Sequence, residues 1–469
     1  MPNNQGVGMG DQEASRRRAV LRGVVILSVS ALVAAACGSS KSSTATNSTA
    51  AASTSAAAAP STSAAATTSA APTVSSSAAT TAAAAPAKDP VNVVALIDVT
   101  GPSAAPVGLS EITKATVDSI NAAGGLAGHP ITLQIVDAKG DPAAAQAAVD
   151  ASTAKKPVAY LLGTAATETA ISVALSKTGA AILGQGYSPS VWGGSVGDQA
   201  NCKVAPDNFC AKPNFLTIGT TFGAVVQEQV LGAQAAGAKV LATAACAEVD
   251  SCSAAAPVFD GTAKALGLAT LGVTKVASTA TDYTAPCLGF ISGGADFIQI
   301  SGSSQMGVNL MKSCADQGYA GLYGASAGSV NGDLIKQPYK LAGGLNGFPW
   351  WVDDAPVATY RDVMTKAKVT ADQYSNPVAT GFYSALLLLQ KAVKDHADAA
   401  KPLDAAAVLD AMYQVKAEGL GGLIAPVTFT KDNLDRNRPC FWPYVKDVSN
   451  KFTNPLGGLK FQCFPPQAG

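Results

Sequence analysis

Nine cysteines and two histidines limit the chemistry open to this chain of 469 residues. Cys37 stands apart, directly after Ala34-Ala35-Ala36. The other eight are Cys202, Cys210, Cys246, Cys252, Cys287, Cys314, Cys440 and Cys463. An even set in an exported chain implies disulfides, although eight cysteines allow on the order of a hundred pairings. Pairing between sequence neighbours is expected: Cys202–Cys210, Cys246–Cys252, Cys287–Cys314 and Cys440–Cys463. A zinc site is the competing reading. No C-x-x-C pair occurs and His129 and His396 lie far from the cysteines, so no metal is expected.

Gly324-Ala325-Ser326-Ala327-Gly328 matches G-x-S-x-G, the nucleophile elbow of serine hydrolases. Such a serine needs a histidine to take its proton. His129 precedes it in a turn between a helix and a strand, and His396 sits in a polar helix end. With 45 glycines in the chain, chance matches are expected. A hydrolase built on Ser326 is thus the disfavoured alternative, and the chain is expected not to be an enzyme. No phosphate-loop or metal motif occurs, and no cofactor is expected. Lys plus Arg and Asp plus Glu both number 32, for a formal net charge of zero. That argues against a nucleic-acid partner, which requires a basic face.

The elements that must position these residues begin after a long leader. Arg16, Arg17, Arg18 and Arg22 precede an apolar run from Gly23 to Ala36. The run is too short to span a bilayer, which takes roughly 20 residues. A basic region, a short apolar region and small residues before a cut site describe a secretory signal over 1–36. Ala34-Ala35-Ala36-Cys37 resembles a bacterial lipobox, with Cys37 as the lipidated new N-terminus; the same alanines also suit ordinary signal peptidase. Arg17-Arg18-Ala19-Val20-Leu21-Arg22 resembles a twin-arginine signal, with the general secretory route left open. Residues 38–88 are almost entirely Ala, Ser and Thr. With no large apolar side chains to form a core, 37–88 is expected to be a disordered tether, O-glycosylated or bare. The protein is placed on the extracytoplasmic face of a bacterial membrane and held by lipid alone.

The remainder alternates strand and helix. Val91–Ile97 is a continuous apolar run, as in a strand buried on both faces. Glu111–Ala123 has helical apolar spacing and ends at Gly124-Gly125. Ile131–Val136 is a strand. Asp141-Pro142 is an N-cap with proline at the first helical position, leading a helix to about Ala154. Val158–Leu162 reads as a strand, Thr167–Thr178 as a helix and Ala181–Leu183 as a strand. Further on, Lys239–Ala244, Thr274–Ala277, Phe297–Ile300 and Tyr319–Tyr323 read as strands, with helices over Pro257–Leu266 and Gln305–Gln317. Such alternation requires parallel sheets with right-handed crossovers. Ligands of open sheets sit beyond the carboxyl ends of the strands. That directs attention to loops 98–108, 163–169, 184–190, 245–252, 301–305 and 324–329.

Several stretches carry a family resemblance: Thr100-Gly101-Pro102, Asn121-Ala122-Ala123-Gly124-Gly125-Leu126-Ala127-Gly128, Asp137, Asp141-Pro142 and Gly163, joined by Thr281-Asp282-Tyr283 and the stretch Asn376–Val393. In this order and spacing, the chain over 91–435 resembles the type I periplasmic binding proteins, in the branch that binds leucine, isoleucine and valine. The resemblance implies an α/β fold of two Rossmann-like lobes joined by a three-strand hinge. It places lobe 1 at 89–219 plus 350–425 and lobe 2 at 220–349 plus 426–469. It implies a lipoprotein, expected as a monomer, that captures a branched-chain amino acid or other small carboxylate or amide. The solute would pass to the permease and ATPase subunits of an ABC importer.

The resemblance also assigns candidate ligand contacts. In lobe 1 the carboxylate-holding positions match Thr167, with Thr169 nearby, and Gly186 with Ser188; Thr167 and Ser188 as plain helix caps is the alternative. Tyr187 would cover an apolar or planar ligand, or simply pack. In lobe 2 the acid that receives the ligand ammonium corresponds to Ser326, and the family's aromatics fall near Ser303. This departure puts amino-acid binding in doubt, since a buried ammonium without a partner is costly. Glu248 or Asp250 could replace the acid, or be surface residues without function. Trp350-Trp351 is expected to pack at the hinge rather than stack on ligand. A tethered sensor without a permease, or an envelope protein with an inactive cleft, would have the same fold.

Overall fold

The computed structural model describes residues 88–469, apart from 101–104, 165–166, 185–190, 192–213, 220–221, 249, 326–328, 432–439 and 464–469, and the side chains of 222–224, 250, 251, 253, 254 and 256. The chain divides after Thr80 into two units, and everything described here belongs to the second. Cys37, the tether, Gly186, Tyr187, Ser188, Ser326, the side chain of Asp250 and the expected Cys202–Cys210 pair lie outside the described residues.

The first sheet holds five parallel strands in the order β2-β1-β3-β4-β5: β1 Val91–Ile97, β2 Ile131–Asp137, β3 Ala159–Gly163, β4 Ala181–Gly184 and β5 Phe215–Thr217. Helices α1 (Leu109–Ala122), α2 (Pro142–Thr153) and α3 (Glu168–Ser176) make the crossovers. The β1 run is apolar apart from Asn92 because both of its faces are covered. Val94 and Leu96 join Tyr160, Leu162 and Ile182 against α2 and α3. Val93, Ala95 and Ile97 face the other way, into a core shared with Leu386 and Leu389. Burying each such aliphatic side chain contributes about 1.5–3 kcal/mol. Asp141 caps α2 by accepting from the Ala144 amide at 2.7 Å, with Pro142 at the first turn, as the sequence predicts.

The second sheet runs β12-β11-β10-β9-β8-β6-β7, with β13 paired to β11. Its parallel part comprises β6 Val240–Cys246, β7 Ala269–Val276, β8 Phe297–Ser301, β9 Leu322–Ala325 and β10 Leu341–Leu345. It then turns antiparallel through β11 Cys440–Lys446, β12 Phe452–Thr453 and β13 Gln462–Cys463. Helices α4 (Phe222–Ala235) and α5 (Asp250–Ala265) cover one face. Helices α6 (Thr284–Ser292), α7 (Ser304–Asp316) and the short α8 (Gly332–Ile335) contribute to the core on the other.

Three sequence expectations shift here. The helix expected from Pro257 starts at Asp250, so Pro257 lies inside α5. Its missing N–H is tolerated mid-helix, at the loss of one ladder bond. The strand expected at Thr274–Ala277 begins at Ala269, because an edge strand with mostly exposed or half-exposed side chains lacks a continuous apolar run. The strand expected at Tyr319–Tyr323 is displaced to Leu322–Ala325.

After β10 the chain returns to the first sheet. It forms α9 (Ala355–Lys366), α10 (Ala371–Tyr374), α11 (Pro377–His396) and α12 (Ala405–Met412), and α11 and α12 pack against the first core. Val427 and Phe429 still belong to that core, and β11 then re-enters the second sheet. The chain therefore passes between the two sheets three times. Phe348 at the second passage packs edge-on against Tyr360 at 5.2 Å, and Tyr360 packs against Tyr383 at 4.8 Å. Trp350 and Trp351 pack on each other and on Phe452, with ring centroids 4.7–5.6 Å apart. Disulfides join Cys246 to Cys252, Cys287 to Cys314 and Cys440 to Cys463, each within elements of the second sheet. Among the described residues no helix is long and apolar enough to cross a membrane.

Candidate functional site

The carboxyl ends of the parallel strands collect the polar groups. In the first sheet, β1 ends at Ile97 and delivers Asp98, which is 1% exposed. Its Oδ1 accepts from the Gly140 amide at 2.8 Å. Burial pushes its pKa up, the Gly140 amide and the Thr164 hydroxyl pull it back, and Asp137 adds a smaller upward push. Asp137, at the end of β2, accepts from the amides of Val99 and Lys139 at 2.9 Å and from the Thr100 hydroxyl at 2.6 Å. Slight burial works upward on Asp137, but these bonds outweigh it and hold the carboxyl below its usual range. It is a brace for the loop after β1.

At the end of β3, Gly163 has its Cα against α11; a Cβ there would lie 2.8 Å from the Phe382 ring. Thr164 follows, fully buried, and Thr167 is 1% exposed. Thr167 occupies the N-cap position of α3, yet its side chain makes no capping bond. Its hydroxyl instead pairs with that of Thr164. Two buried hydroxyls thus sit where the first turn of α3 presents backbone N–H groups, an arrangement suited to a carboxylate or carbonyl oxygen. Thr169, the second residue of the helix, is exposed.

In the second sheet, Glu248 follows β6 and is exposed. Its carboxylate accepts from the Ser278 amide at 3.0 and 3.1 Å. Its own amide and that of Ser278 hold its pKa below the usual range. Ser303, beyond β8, caps α7 by accepting from the Met306 amide at 3.2 Å. The Ser329 hydroxyl donates to the Gly302 carbonyl at 2.6 Å and ties the loop after β9 to the loop after β8. The first glycine of the G-x-S-x-G match, Gly324, has a packing reason: a Cβ there would overlap Phe297 and Gln299. Among the described residues no group of three His, Cys, Asp or Glu is placed to hold a metal.

Three groups at these edges escaped the sequence reading. Asp98 and Thr164 fall in the loops 98–108 and 163–169, but nothing in the sequence marked these two as the buried members. Asn346 follows β10 and is 5% exposed, and neither its amide nitrogen nor its oxygen has a hydrogen-bond partner. It stands at the passage between the sheets; a Cβ on the next residue, Gly347, would overlap Thr380 and the Pro377 carbonyl of α11. A polar Asn-Gly directly after a short apolar strand was its only signal.

A family model described as periplasmic binding protein matches residues 90–444. No curated protein sequence matches the chain. Solved structures share the fold. An extracellular ligand-binding receptor from Verminephrobacter eiseniae is 15% identical with a TM-score of 0.62, covering 78% of this chain and 99% of its own. A fatty acid ABC transporter substrate-binding protein from Thermomonospora curvata is 16% identical with a TM-score of 0.61, covering 78% of this chain and 91% of its own. A branched chain amino acid ABC transporter from Thermus thermophilus with bound valine is 14% identical with a TM-score of 0.63, covering 78% of this chain and 95% of its own. At these identities the structures speak for the fold alone. The match across 90–444 and the two strand–helix sheets linked by three passages make this chain a member of the type I periplasmic binding proteins.

Proposed function

We propose that this protein is a lipid-anchored extracytoplasmic receptor that captures a small solute between its two lobes and delivers it to an ABC importer. The lobes are 89–219 plus 350–425 and 220–349 plus 426–469, with the three passages as hinge. Lobe 1 holds the carboxylate or carbonyl end of the solute at Thr167, with Gly186 and Ser188 as further contacts and Tyr187 as a cover for the ligand. Lobe 2 closes from the loops carrying Glu248, Asp250, Ser303 and Ser326. Cys37 carries the lipid, and the Ala-Ser-Thr tether gives the receptor reach toward the permease.

The observation that supports this reading best is the buried Thr164–Thr167 hydroxyl pair at the start of α3. A hydroxyl at an N-cap ordinarily serves its own helix; that of Thr167 makes no capping bond and pairs with Thr164 instead, beside the positive end of the helix dipole. No cationic side chain is required, because backbone N–H groups and hydroxyls suffice.

The test is thermal unfolding of the oxidised, exported protein with a panel of Leu, Ile, Val, polar amino acids, branched carboxylic acids and short amides. A solute at 100 times its dissociation constant adds about 2.7 kcal/mol. Thr167→Val is expected to abolish the response of the wild type while leaving the ligand-free midpoint within a few degrees. An undiminished response in that variant would remove Thr167 from the site.

A further inference from the structure

The described chain begins at Lys88, at the amino end of β1. The Lys88 amide donates to the Gly128 carbonyl at 3.0 Å, at the turn that leads into β2. A Cβ on Gly128 would come within 3.6 Å of the Lys88 side chain. Lys394, in the last turn of α11, lines a groove with Gly124, Gly125 and Gly128 of that turn. On the other side of β1, the Asn92 amide nitrogen donates to the Lys155 carbonyl at 2.7 Å, and Lys156 follows. Both lysines stand shortly before β3, the parallel neighbour of β1. Lys177 stands shortly before β4, the parallel neighbour of β3. Five lysines therefore follow one edge across β2, β1, β3 and β4, over three strand spacings or about 15 Å.

All five are exposed, and among the described residues none of them is in an ion pair. Lys114, Lys312 and Lys391, by contrast, each pair with an aspartate four residues on. Asp89 and Asp150 stand near the row, while Asp395 is held by Lys391. Five lysines against two aspartates leave an excess of three positive charges, in a chain whose formal net charge is zero. Lys155, Lys177 and Lys394 also offset the dipoles at the ends of α2, α3 and α11. Lys88, ahead of a strand, serves no helix. Because the strands are parallel, their carboxyl ends, with Asp98, Thr164 and Thr167, point the opposite way.

We propose that this edge of lobe 1 rests on the anionic phospholipid headgroups of the membrane, so that the solute-free receptor keeps its cleft turned away from the bilayer. This rests on the reading that Cys37 carries a lipid. The fold and the anchor are joined through the stretch from Cys37 to Lys88. A flexible chain of that length spans about 40 Å, enough for the edge to reach the surface and for the receptor to turn over toward a permease. Each lysine close to an anionic surface raises partition about fivefold. An excess of three charges then strengthens contact on the order of a hundredfold, which is weak alone and effective once the anchor holds the protein near the surface. The attraction acts only within about 8 Å at physiological salt, so the edge must lie on the headgroups to feel it.

The test is sedimentation of the whole exported chain carrying Cys37→Ser, hence without lipid, with two kinds of vesicle. One is phosphatidylcholine alone; the other is equal parts phosphatidylcholine and phosphatidylglycerol. The chain is expected to bind only the anionic vesicles, and to lose that binding as salt rises from about 50 to about 300 mM. Lys155→Gln, Lys156→Gln and Lys394→Gln together are expected to weaken it at least roughly tenfold. Lys239→Gln, Lys264→Gln and Lys340→Gln together, at exposed positions of lobe 2, should leave it within about twofold. All six side chains are exposed, so both triple variants should keep the wild-type thermal midpoint. Equal binding to the two vesicles, no binding to either at low salt, or equal losses in the two triple variants overturns the proposal. Displacement by soluble polyphosphate at equal phosphate concentration would assign the edge to an anionic polymer and overturn it as well. On lipidated wild type held on the anionic vesicles, amine acylation should slow severalfold at Lys155 and Lys156 relative to Lys239, and equal rates would refute the orientation. Mass spectrometry of the exported wild type reads the anchor separately: a bare Cys37 with anionic-vesicle binding intact would withdraw the anchor and support the surface.

Discussion

Single residues here are read through the cost of burying polar atoms. Asn346 keeps both ends of its amide out of water without a partner and Thr167 pairs with Thr164 rather than capping α3, whereas Asp137 and Ser303 are fully occupied as braces. Lys446 is a structural case with a measurable consequence. Its ammonium is buried in lobe 2 and donates to the carbonyls of Gln337, Tyr339 and Asp447 at 2.7, 2.9 and 3.2 Å. Burial lowers its pKa to about 8, with Asp447 working weakly the other way. In the unfolded chain a lysine keeps its proton to about pH 10.4. Between these values the unfolded state binds more protons, so this group makes the fold more stable as pH rises from about 8 toward 10. Urea unfolding at pH 7 and pH 9.5 should show wild type gaining stability relative to Lys446→Met, and equal pH dependence in the two would refute the assignment. Buried Tyr383, with its pKa pushed up to about 12, works oppositely above pH 10, where unfolded tyrosines ionise first.

At the scale of elements, Gly232 shows how tightly α4 sits on the sheet, and Gly261 of α5 provides the contrast. A Cβ on Gly232 would collide with the backbone of Gly343 in β10, so the helix can pack there only with glycine. Gly261 in α5 is exposed and has nothing within 4 Å. Gly232→Ala is therefore expected to cost about 1–3 kcal/mol by overpacking. Gly261→Ala should contribute roughly 0.5–1 kcal/mol through helix propensity. Opposite signs in denaturant unfolding would sustain both placements. The disulfide between Cys287 of α6 and Cys314 of α7 fastens two neighbouring helices, and both cysteines are fully buried. Replacing the pair with alanines should cost about 2–4 kcal/mol; a calorimetric midpoint unchanged from wild type would show the bond to be idle.

At the scale of the whole molecule, all three disulfides in the described residues stay within elements of the second sheet, so none fastens one sheet to the other. The aromatic group of Phe348, Tyr360 and Tyr383 fills the second passage. Capture by closure of the lobes predicts a smaller radius of gyration in solution scattering when solute is bound. An unchanged radius with a saturating solute would mean that the cleft works without closing.

The α/β class was legible in the sequence because strands buried on both faces are mostly apolar, as Val91–Ile97 is with Asn92 its one polar residue, and because Asp141-Pro142 writes a helix start in two residues. Pairing of cysteine neighbours could be stated as one choice among many; the structure has three such pairs. The antiparallel strands β11–β13 were not visible, since two of them span only two residues and form only where β10 offers an edge. The same holds for the site. Thr167 could be singled out by its resemblance to a family position, but its pairing with Thr164 in place of a cap depends on how α3 meets β3. The unmet amide of Asn346 was decided by tertiary structure alone. Sequence periodicity records which side of an element is buried, whereas an unmet hydrogen bond exists only once distant elements have closed around it.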